Sequence, residues 1–188
     1  MSIMSHEYRF CFIHIEKNAG TSITHALSKA LKIPHFKSRR YSGPLKGRGG
    51  LRAIDYINLL GRERYDSYFS FAFVRNPFDR LVSWYCYDNL GLPSFEAWLE
   101  YFFEYVKLDQ MAYLVDEKGE IAVKFIGRFE NLQEDFNKVC DMLGIPHIRL
   151  SRKNVSRRRH YREYYTEKTL QFVKEKLSQE IELFGYEF

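Results

Sequence analysis

Apolar residues along this chain follow two spacings, one typical of buried strands and one typical of amphipathic helices. Largely apolar runs predict strands at residues 9–15, 69–74 and 121–127. Runs without polar alternation are typical of strands whose two faces are both covered. Because these strands alternate with helical segments, the pattern favours a parallel sheet covered by helices on both sides. The sequence therefore predicts an α/β fold, a three-layer sandwich around a central parallel sheet.

Helical segments are marked by apolar residues that recur at every third or fourth position. The predicted helices cover residues 21–31, 55–65, 77–89, 94–106, 130–144 and 170–184. Two ends carry local signals, since Ser94 is a typical N-terminal capping residue and Gly144 a typical C-terminal stop. Between Pro34 and Arg52 the sequence loses all periodicity and is rich in Gly, Pro and Arg, which predicts a long loop.

Length and composition are those of one globular unit. The chain has 188 residues, of which 45% are hydrophobic and 17% aromatic, enough to bury a full core. It contains no internal repeat, low-complexity tract or linker, so residues 1–188 are predicted to form a single domain. Cys11, Cys86 and Cys140 are widely spaced and lack the pattern of a metal site or a disulfide framework. We expect all three to be reduced core residues.

The chain lacks the sequence signals of membrane insertion. No apolar run is long enough for a transmembrane segment, and the opening MSIMSHEYRF is too polar for the core of a signal peptide. A cytoplasmic location is therefore expected, with association at a membrane surface left open. The formal charge of +5 comes from 29 basic and 24 acidic residues, and basic residues gather at 37–52 and 151–162.

The segment HIEKNAGTSI at 14–23 places a lysine and two hydroxyl residues where the first strand turns into a helix. A glycine-containing turn that opens a helix presents backbone N–H groups and the positive end of the helix dipole. Such a turn suits a phosphate group, and Lys17 adds a full positive charge. A solvated lysine beside an ordinary glycine turn is the alternative interpretation of this segment taken alone.

The segment FVRNPFDRLVSWY at 73–85 forms a second strand-to-helix turn with anion-binding residues. Arg75 stands at the end of the strand, and Pro77 suits the first turn of the following helix. Arginine offers a planar fork of donors to a phosphate, and Ser83 lies two turns into the helix. Asp79 shares a helix face with Ser83, so we expect it to orient Ser83 or Arg75. Two anion sites imply a ligand with two separated anionic groups.

The paired motifs resemble those of the sulfotransferases that use 3′-phosphoadenosine 5′-phosphosulfate (PAPS), especially the branch with carbohydrate-modifying members. The first motif is similar to the family's turn for the 5′-phosphosulfate, and the second to its motif for the 3′-phosphate. The similarity extends to GRFENLQEDF at 127–136, to the region of Asn154 and Ser156, and to the closing EIELFGYEF. It implies a P-loop NTPase-like sulfotransferase fold. It also implies transfer of a sulfuryl group from PAPS to a hydroxyl acceptor, in this branch a sugar or oligosaccharide.

The resemblance further implies roles for individual residues. Lys17 would stabilise charge on the bridging oxygen as the S–O bond breaks. The turn that holds the 5′ end of the donor would consist of Lys17, Asn18, Ala19, Gly20, Thr21 and Ser22. Arg75 and Ser83 would hold the 3′-phosphate. Basic residues after Asn154 would close over the nucleotide, the candidates being Arg157, Arg158 and Arg159. No metal is implied, and no cluster has the spacing of metal ligands.

A general base is also expected, because an alcohol acceptor loses its proton as it attacks. Two catalytic candidates lie in the first motif: Glu16, directly before Lys17, and His14, on the same side of the predicted strand. The family often has proline at the position of Glu16. A purely structural ion pair of Glu16 and a core role for His14 both stay open. The other candidate bases are His35, Asp88 and Asp109.

Two other function classes compete with sulfuryl transfer. A P-loop kinase or other NTPase would require GxxxxGK[ST], whereas Lys17 here precedes Gly20. A nucleic-acid-binding module is suggested by the basic segments, but a charge of only +5 and the lack of a recognised binding motif oppose it. We therefore expect no nucleic-acid partner. The basic loop at 37–52 is expected to lie on the acceptor side, where its charge suits an acidic acceptor. The oligomeric state is left open.

Overall fold

The computed structural model describes five stretches of the chain, residues 3–33, 50–88, 90–106, 109–151 and 158–188. The strands within them are β1 (Ile3–Ser5), β2 (Phe10–Ile13), β3 (Phe69–Val74) and β4 (Phe125–Arg128). The α-helices are α1 (Gly20–Leu31), α2 (Ala53–Leu60), α3 (Arg62–Asp66), α4 (Pro77–Asp88), α5 (Phe95–Tyr101), α6 (Leu132–Leu143), α7 (Glu167–Lys176) and α8 (Ser178–Phe184). A π-helical segment covers Phe102–Val106, and 3-10 turns cover Met111–Tyr113, Phe129–Asn131 and Tyr161–Tyr164.

The strands pair in the order β1-β2-β3-β4. β2, β3 and β4 are parallel, with Phe12 opposite Phe71 and Phe71 opposite Phe125. β1 runs antiparallel to β2, with Ile3 opposite Phe12. The prediction of a parallel sheet is therefore right for three strands and wrong at the edge. A strand as short as β1 shows no periodicity, and the segment His6–Arg9 is long enough for a hairpin but too short for a parallel crossover.

The described residues divide into two compact units. The first contains those up to Val74 and those from Met111 to Ser151. The second contains those from Arg75 to Gln110 and from Arg158 onwards. The single domain over residues 1–188 stays a prediction.

The first unit is built around the sheet. One sheet face packs against α1 and α6, and the core there consists of Ile3, Phe10, Phe12, Ile23, Leu27, Phe71, Phe73, Phe136, Val139 and Cys140. Tyr65 of α3 lies on the opposite face, where its hydroxyl donates to the Ala122 carbonyl at 2.8 Å. Burial raises the pKa of Tyr65 to about 12, with smaller effects from Ser70 and Cys11 on that face. Helices therefore flank both faces of the sheet, as the sequence predicts.

The second unit is helical and held together by aromatic contacts. Trp98 of α5 stacks on Phe102 with ring centroids 4.9 Å apart, and Trp84 of α4 meets Phe102 edge-on at 5.1 Å. Phe95 packs edge-on against Tyr165 at 5.0 Å. Many of the aromatic residues of this unit thus serve packing.

Two helix ends follow their local sequence signals. The Ser94 hydroxyl accepts a hydrogen bond from the Ala97 N–H at 3.1 Å and caps α5. Gly144 ends α6 in the left-handed conformation, with φ of 65°, which glycine adopts without steric cost. Both predictions are confirmed. Helix ends of this kind can be predicted because each depends only on one residue and the backbone groups next to it.

Other predicted elements are longer than the structure allows. The helix expected at 55–65 is broken at Gly61, whose φ of 80° lies outside the helical region. The helix expected at 170–184 divides at Leu177 into α7 and α8. The strand expected at 121–127 pairs with β3 only from Phe125 onward. Apolar spacing continues across Leu177 and through residues 121–127, so it could not reveal those two boundaries, whereas Gly61 is followed by three charged residues.

The cysteines differ in their surroundings. Cys11 and Cys140 are buried, whereas Cys86 is exposed, and none forms a disulfide. Burial raises the pKa of Cys11 to about 12, which keeps its thiol protonated and unreactive. The expectation that all three lie in the core is wrong for Cys86.

Candidate active site

The first strand-to-helix turn has an unusual backbone. It joins β2 to α1, and both Lys17 and Ala19 are left-handed, with φ of 69° and 61°. The N-cap residue of α1, Ala19, has no side chain that could cap the helix; its carbonyl accepts from the N–H groups of Ser22 and Ile23. A left-handed residue followed by helical ones directs successive N–H groups into one concavity, an anion-binding arrangement called a nest. The start of α1 is therefore suited to a phosphate group.

Asn18 ties this turn to the sheet. Its side-chain Nδ2 donates to the Phe73 carbonyl of β3 at 2.7 Å, and the residue is 1% exposed. This buried hydrogen bond fixes the position of the turn relative to the end of β3. The predicted contribution of Asn18 to donor binding would therefore come from its backbone.

His14 packs under the start of α1. Its ring stacks on Phe12 with centroids 5.9 Å apart, and its carbonyl accepts from the Gly50 N–H at 3.3 Å. A Cβ atom at Gly20 would lie only 2.1 Å from the His14 Cδ2 atom, so the ring occupies the space that any larger residue would need. A packing role accounts for this buried position, and the catalytic role of His14 stays a prediction.

The remaining residues of the first motif lie on or beside the turn. Glu16, Lys17 and Thr21 are half-buried, whereas Ser22 is buried in the first turn of α1. The structure thus brings the predicted 5′-end residues together in one turn. Their assignment as ligands of the donor stays a prediction.

The second strand-to-helix turn is closed by a capping residue. The Asn76 Oδ1 atom accepts from the N–H groups of Phe78 and Asp79 at 3.0 and 3.4 Å, and Pro77 occupies the first helical position. Asn76 Nδ2 also donates to the Glu187 carbonyl at 2.8 Å. Because the first N–H groups of α4 are already used, an anion at this turn would bind through side chains.

Asp79 binds two arginines, Arg75 of this turn and Arg158 from a distant part of the sequence. Its Oδ2 atom accepts from Arg75 Nε at 2.9 Å and Nη2 at 2.6 Å, and its Oδ1 atom accepts from Arg158 Nη2. Asp79 thus orients Arg75, one of the two roles expected for it. Ser83 lies one helical turn further on and is buried. Arg158 therefore joins the second motif, whereas Arg157 lies outside the described residues, as do His35 and most of the loop at 37–52.

A buried polar pair behind Arg75 escaped sequence reasoning. Gln110 grips the Arg75 backbone at both ends: the Arg75 N–H donates to Oε1 at 2.9 Å, and Nε2 donates to the Arg75 carbonyl at 2.8 Å. Glu180 of α8 accepts from Gln110 N at 2.7 Å and from Nε2 at 2.5 Å. Burial raises the pKa of the Glu180 carboxyl, while the charge of Arg80 and the bonds from Gln110 oppose that shift. No local motif marks such a pair.

Neither membrane nor metal features occur in the described stretches. No helix there combines the length and apolarity needed to cross a bilayer. Nor do three His, Cys, Asp or Glu side chains of these stretches come together as a possible metal site.

Comparison with known proteins assigns the chain to a family. A sequence model of the protein family described as "Sulfotransferase family" matches residues 1–187, essentially the whole sequence. The chain belongs to the sulfotransferase family. Sulfuryl transfer is therefore the general reaction of this sulfotransferase, and the resemblance of its two motifs to those of sulfotransferases is confirmed at the level of the family.

One relative of this sulfotransferase comes from Archaeoglobus fulgidus. It is 33% identical over 112 residues, which cover 56% of this chain and 92% of the relative, and it is described only as an uncharacterized protein. No solved structure matches the chain. The P-loop-like form of the fold, beyond a sheet flanked by helices, accordingly stays a prediction.

Proposed function

We propose that this sulfotransferase uses PAPS as its sulfuryl donor and a carbohydrate hydroxyl as its acceptor. The observation that carries the proposal is the contrast between the two turns. The first is a helix start with left-handed Lys17 and Ala19 and with alanine as its N-cap residue, which suits a group reached by backbone N–H donors and by Lys17. The second offers the side chain of Arg75, held by Asp79, and the hydroxyl of Ser83 further along α4, which suits a phosphate reached by side chains. PAPS has one anionic group of each kind, a 5′-phosphosulfate and a 3′-phosphate.

In the proposed reaction the acceptor oxygen attacks sulfur in line with the leaving group. A new O–S bond forms while the bond from sulfur to the 5′-phosphate oxygen breaks. The electron pair of the broken bond stays on that oxygen, leaving 3′-phosphoadenosine 5′-phosphate. Lys17 and the N–H groups of the turn stabilise this growing negative charge. The hydroxyl proton passes to a base, for which Glu16 is the first choice because it adjoins Lys17.

The acceptor class is supported by family resemblance. The motifs are most similar to the branch with carbohydrate-modifying members, whose acceptors are sugar hydroxyls. The loop at 37–52, of which residues 37–49 lie outside the described residues, is rich in lysine and arginine. Such a loop favours an acceptor that is itself acidic.

Calorimetry with three nucleotides tests the donor assignment. The unmodified protein should bind 3′-phosphoadenosine 5′-phosphate at least tenfold more tightly than AMP, because one charged hydrogen-bonded contact contributes about 1.5–3 kcal/mol. ATP should bind no better than AMP. Equal affinities for 3′-phosphoadenosine 5′-phosphate and AMP would refute the assignment of a 3′-phosphate site.

The variant Arg75→Ala assigns that preference to a residue. It should bring the two affinities together while leaving AMP binding nearly unchanged. The matched control is Arg62→Ala, which also removes an arginine paired with an aspartate four residues on, here Asp66 at 2.9 Å. The control should retain the preference.

A further inference from the structure

The backbone of Arg75 is held by a side chain instead of by a neighbouring strand. Gln110 accepts from the Arg75 N–H and donates to its carbonyl, at 2.9 and 2.8 Å. These two bonds copy the pairing that a further strand would supply. Gln110 is fully buried, so this grip is shielded from competing water.

Gln110 is itself fixed from the far end of the sequence. Glu180 in α8 accepts from both the backbone N–H and the side-chain Nε2 of Gln110, at 2.7 and 2.5 Å. Those bonds fix which way the amide faces, with Nε2 shared between Glu180 and the Arg75 carbonyl. A flipped amide would place Nε2 against the Arg75 N–H and lose all three hydrogen bonds of the Gln110 side chain.

Burial of the Glu180 carboxyl group lowers the stability of the fold unless its charge is compensated. Glu180 is 1% exposed, and a buried carboxylate is destabilising unless hydrogen bonds and an opposite charge compensate it. The charge of Arg80 favours the ionised form of Glu180. Arg80 is also 1% exposed, and its guanidinium lies 5.1 Å from the centre of the Trp84 ring. Apolar residues in place of Glu180 and Arg80 would avoid the cost of burying two charges, so we expect these groups to have a role beyond packing.

The chain of contacts converges on the orientation of one side chain. Gln110 fixes the main chain of Arg75, and Asp79 holds its guanidinium by two bonds at 2.9 and 2.6 Å. An arginine fixed at both ends loses little freedom when it binds a phosphate. Hydrogen bonds from a guanidinium to a phosphate depend on distance and angle, so a shift of the Arg75 side chain weakens them.

From these contacts we infer that Gln110 and Glu180 are positioning residues for the 3′-phosphate arm of Arg75, so that α8 sets donor specificity from inside the protein. This inference rests on the proposed function, in which Arg75 binds the 3′-phosphate. Gln110 and Glu180 themselves are too buried to touch the donor.

The test compares nucleotide affinities of Gln110→Met, a change that keeps the side-chain length but removes its hydrogen bonds. Calorimetry should show a loss of about tenfold in affinity for 3′-phosphoadenosine 5′-phosphate, with AMP affinity changed less than about twofold. In an Arg75→Ala background the same change should cost nothing further, because the arm that it positions is gone. A matched control is Gln171→Met, which removes a surface amide that bonds Glu175 at 3.0 Å.

The outcomes separate the inference from the proposed function. If the unmodified protein does not prefer 3′-phosphoadenosine 5′-phosphate over AMP, the proposed function fails and the inference with it. If the preference exists and Gln110→Met weakens both nucleotides equally, Gln110 only supports the fold, and the inference alone is overturned. Should Gln110→Met not fold, Glu180→Gln keeps the shape of the pair, and a selective loss for the 3′-phosphorylated nucleotide is again required.

Discussion

The two strand-to-helix turns of this sulfotransferase look alike in sequence and differ in construction. At the first, the open turn, α1 begins after left-handed Lys17 and Ala19, and its N-cap residue Ala19 makes no side-chain capping bond. At the second, Asn76 caps α4 and Asp79 holds Arg75. One turn presents backbone donors, and the other presents side chains fixed in place. A strand-to-helix turn is therefore not a single kind of anion site, and its cap determines which donors a ligand meets.

The largest expected effect comes from Lys17→Ala at the open turn. If Lys17 stabilises charge on the leaving oxygen, turnover with PAPS should fall about 100-fold or more, because such a donor acts mainly in the transition state. Affinity for 3′-phosphoadenosine 5′-phosphate should fall much less. Single-turnover kinetics and calorimetry measure the two quantities separately.

The matched control for this change is Lys32→Ala. Lys32 is also a left-handed lysine, with φ of 53°, but it lies at the opposite end of α1. Its replacement should leave turnover unchanged. Equal losses of turnover and affinity in Lys17→Ala would show that the lysine binds the donor without assisting the transfer.

Gly20→Ala tests how tightly the open turn is built. Alanine normally favours a helix by up to about 1 kcal/mol over glycine. Here the new Cβ would meet the His14 ring at 2.1 Å, so we expect destabilisation of about 1–3 kcal/mol by overpacking. Urea unfolding measures the free energy.

The double variant His14→Ala/Gly20→Ala provides the internal control for that contact. Removing the ring makes room for the added methyl group, so the two changes together should cost less than the sum of their separate costs. Simple additivity would mean that the His14 ring does not select glycine at position 20.

At the closed turn the corresponding change is Asn76→Ala. Loss of its Oδ1 acceptor leaves two N–H groups of α4 without their cap, which should lower the free energy of unfolding by about 1 kcal/mol. Asn131→Ala is the comparison, because Asn131 stands at the start of α6 but makes no side-chain capping bond. Thermal or urea unfolding should leave the Asn131 variant near the parent, and similar losses in both variants would contradict the capping role of Asn76.

The closed turn also shows where sequence reasoning stops. Asn76 followed by Pro77 is a typical helix start, so its cap could have been recognised from the sequence. The grip of Gln110 and Glu180 on Arg75 could not, because it joins residues far apart in the chain through buried polar contacts without a motif. Local chemistry predicts caps and turns, whereas tertiary partners of a site depend on packing.

The fold divides along the same line. The predicted bounds of β3 match the observed strand, because its apolar run ends at Arg75 and each of its residues pairs with β2 or β4. β1 is missed because Ile3–Ser5 is a strand only through its partner β2. The break at Gly61 falls inside one predicted helix, although glycine is a typical C-terminal stop, and its positive φ ends α2 there.

The smallest expected effect is that of Ala19→Gly at the open turn, where stability and function should change in opposite directions. Glycine adopts φ near 61° without the steric cost that alanine bears, although it also gains freedom in the unfolded chain. The net gain in the free energy of unfolding should be about 0.5 kcal/mol, whereas Ala26→Gly, inside α1, should lose about 1 kcal/mol. The methyl group of Ala19 restricts the turn, so its loss should weaken binding of 3′-phosphoadenosine 5′-phosphate slightly. If affinity for 3′-phosphoadenosine 5′-phosphate rises together with stability instead, the left-handed alanine lowers stability without improving donor binding. Lys17 would then be the one feature that distinguishes the open turn from the closed turn in donor binding.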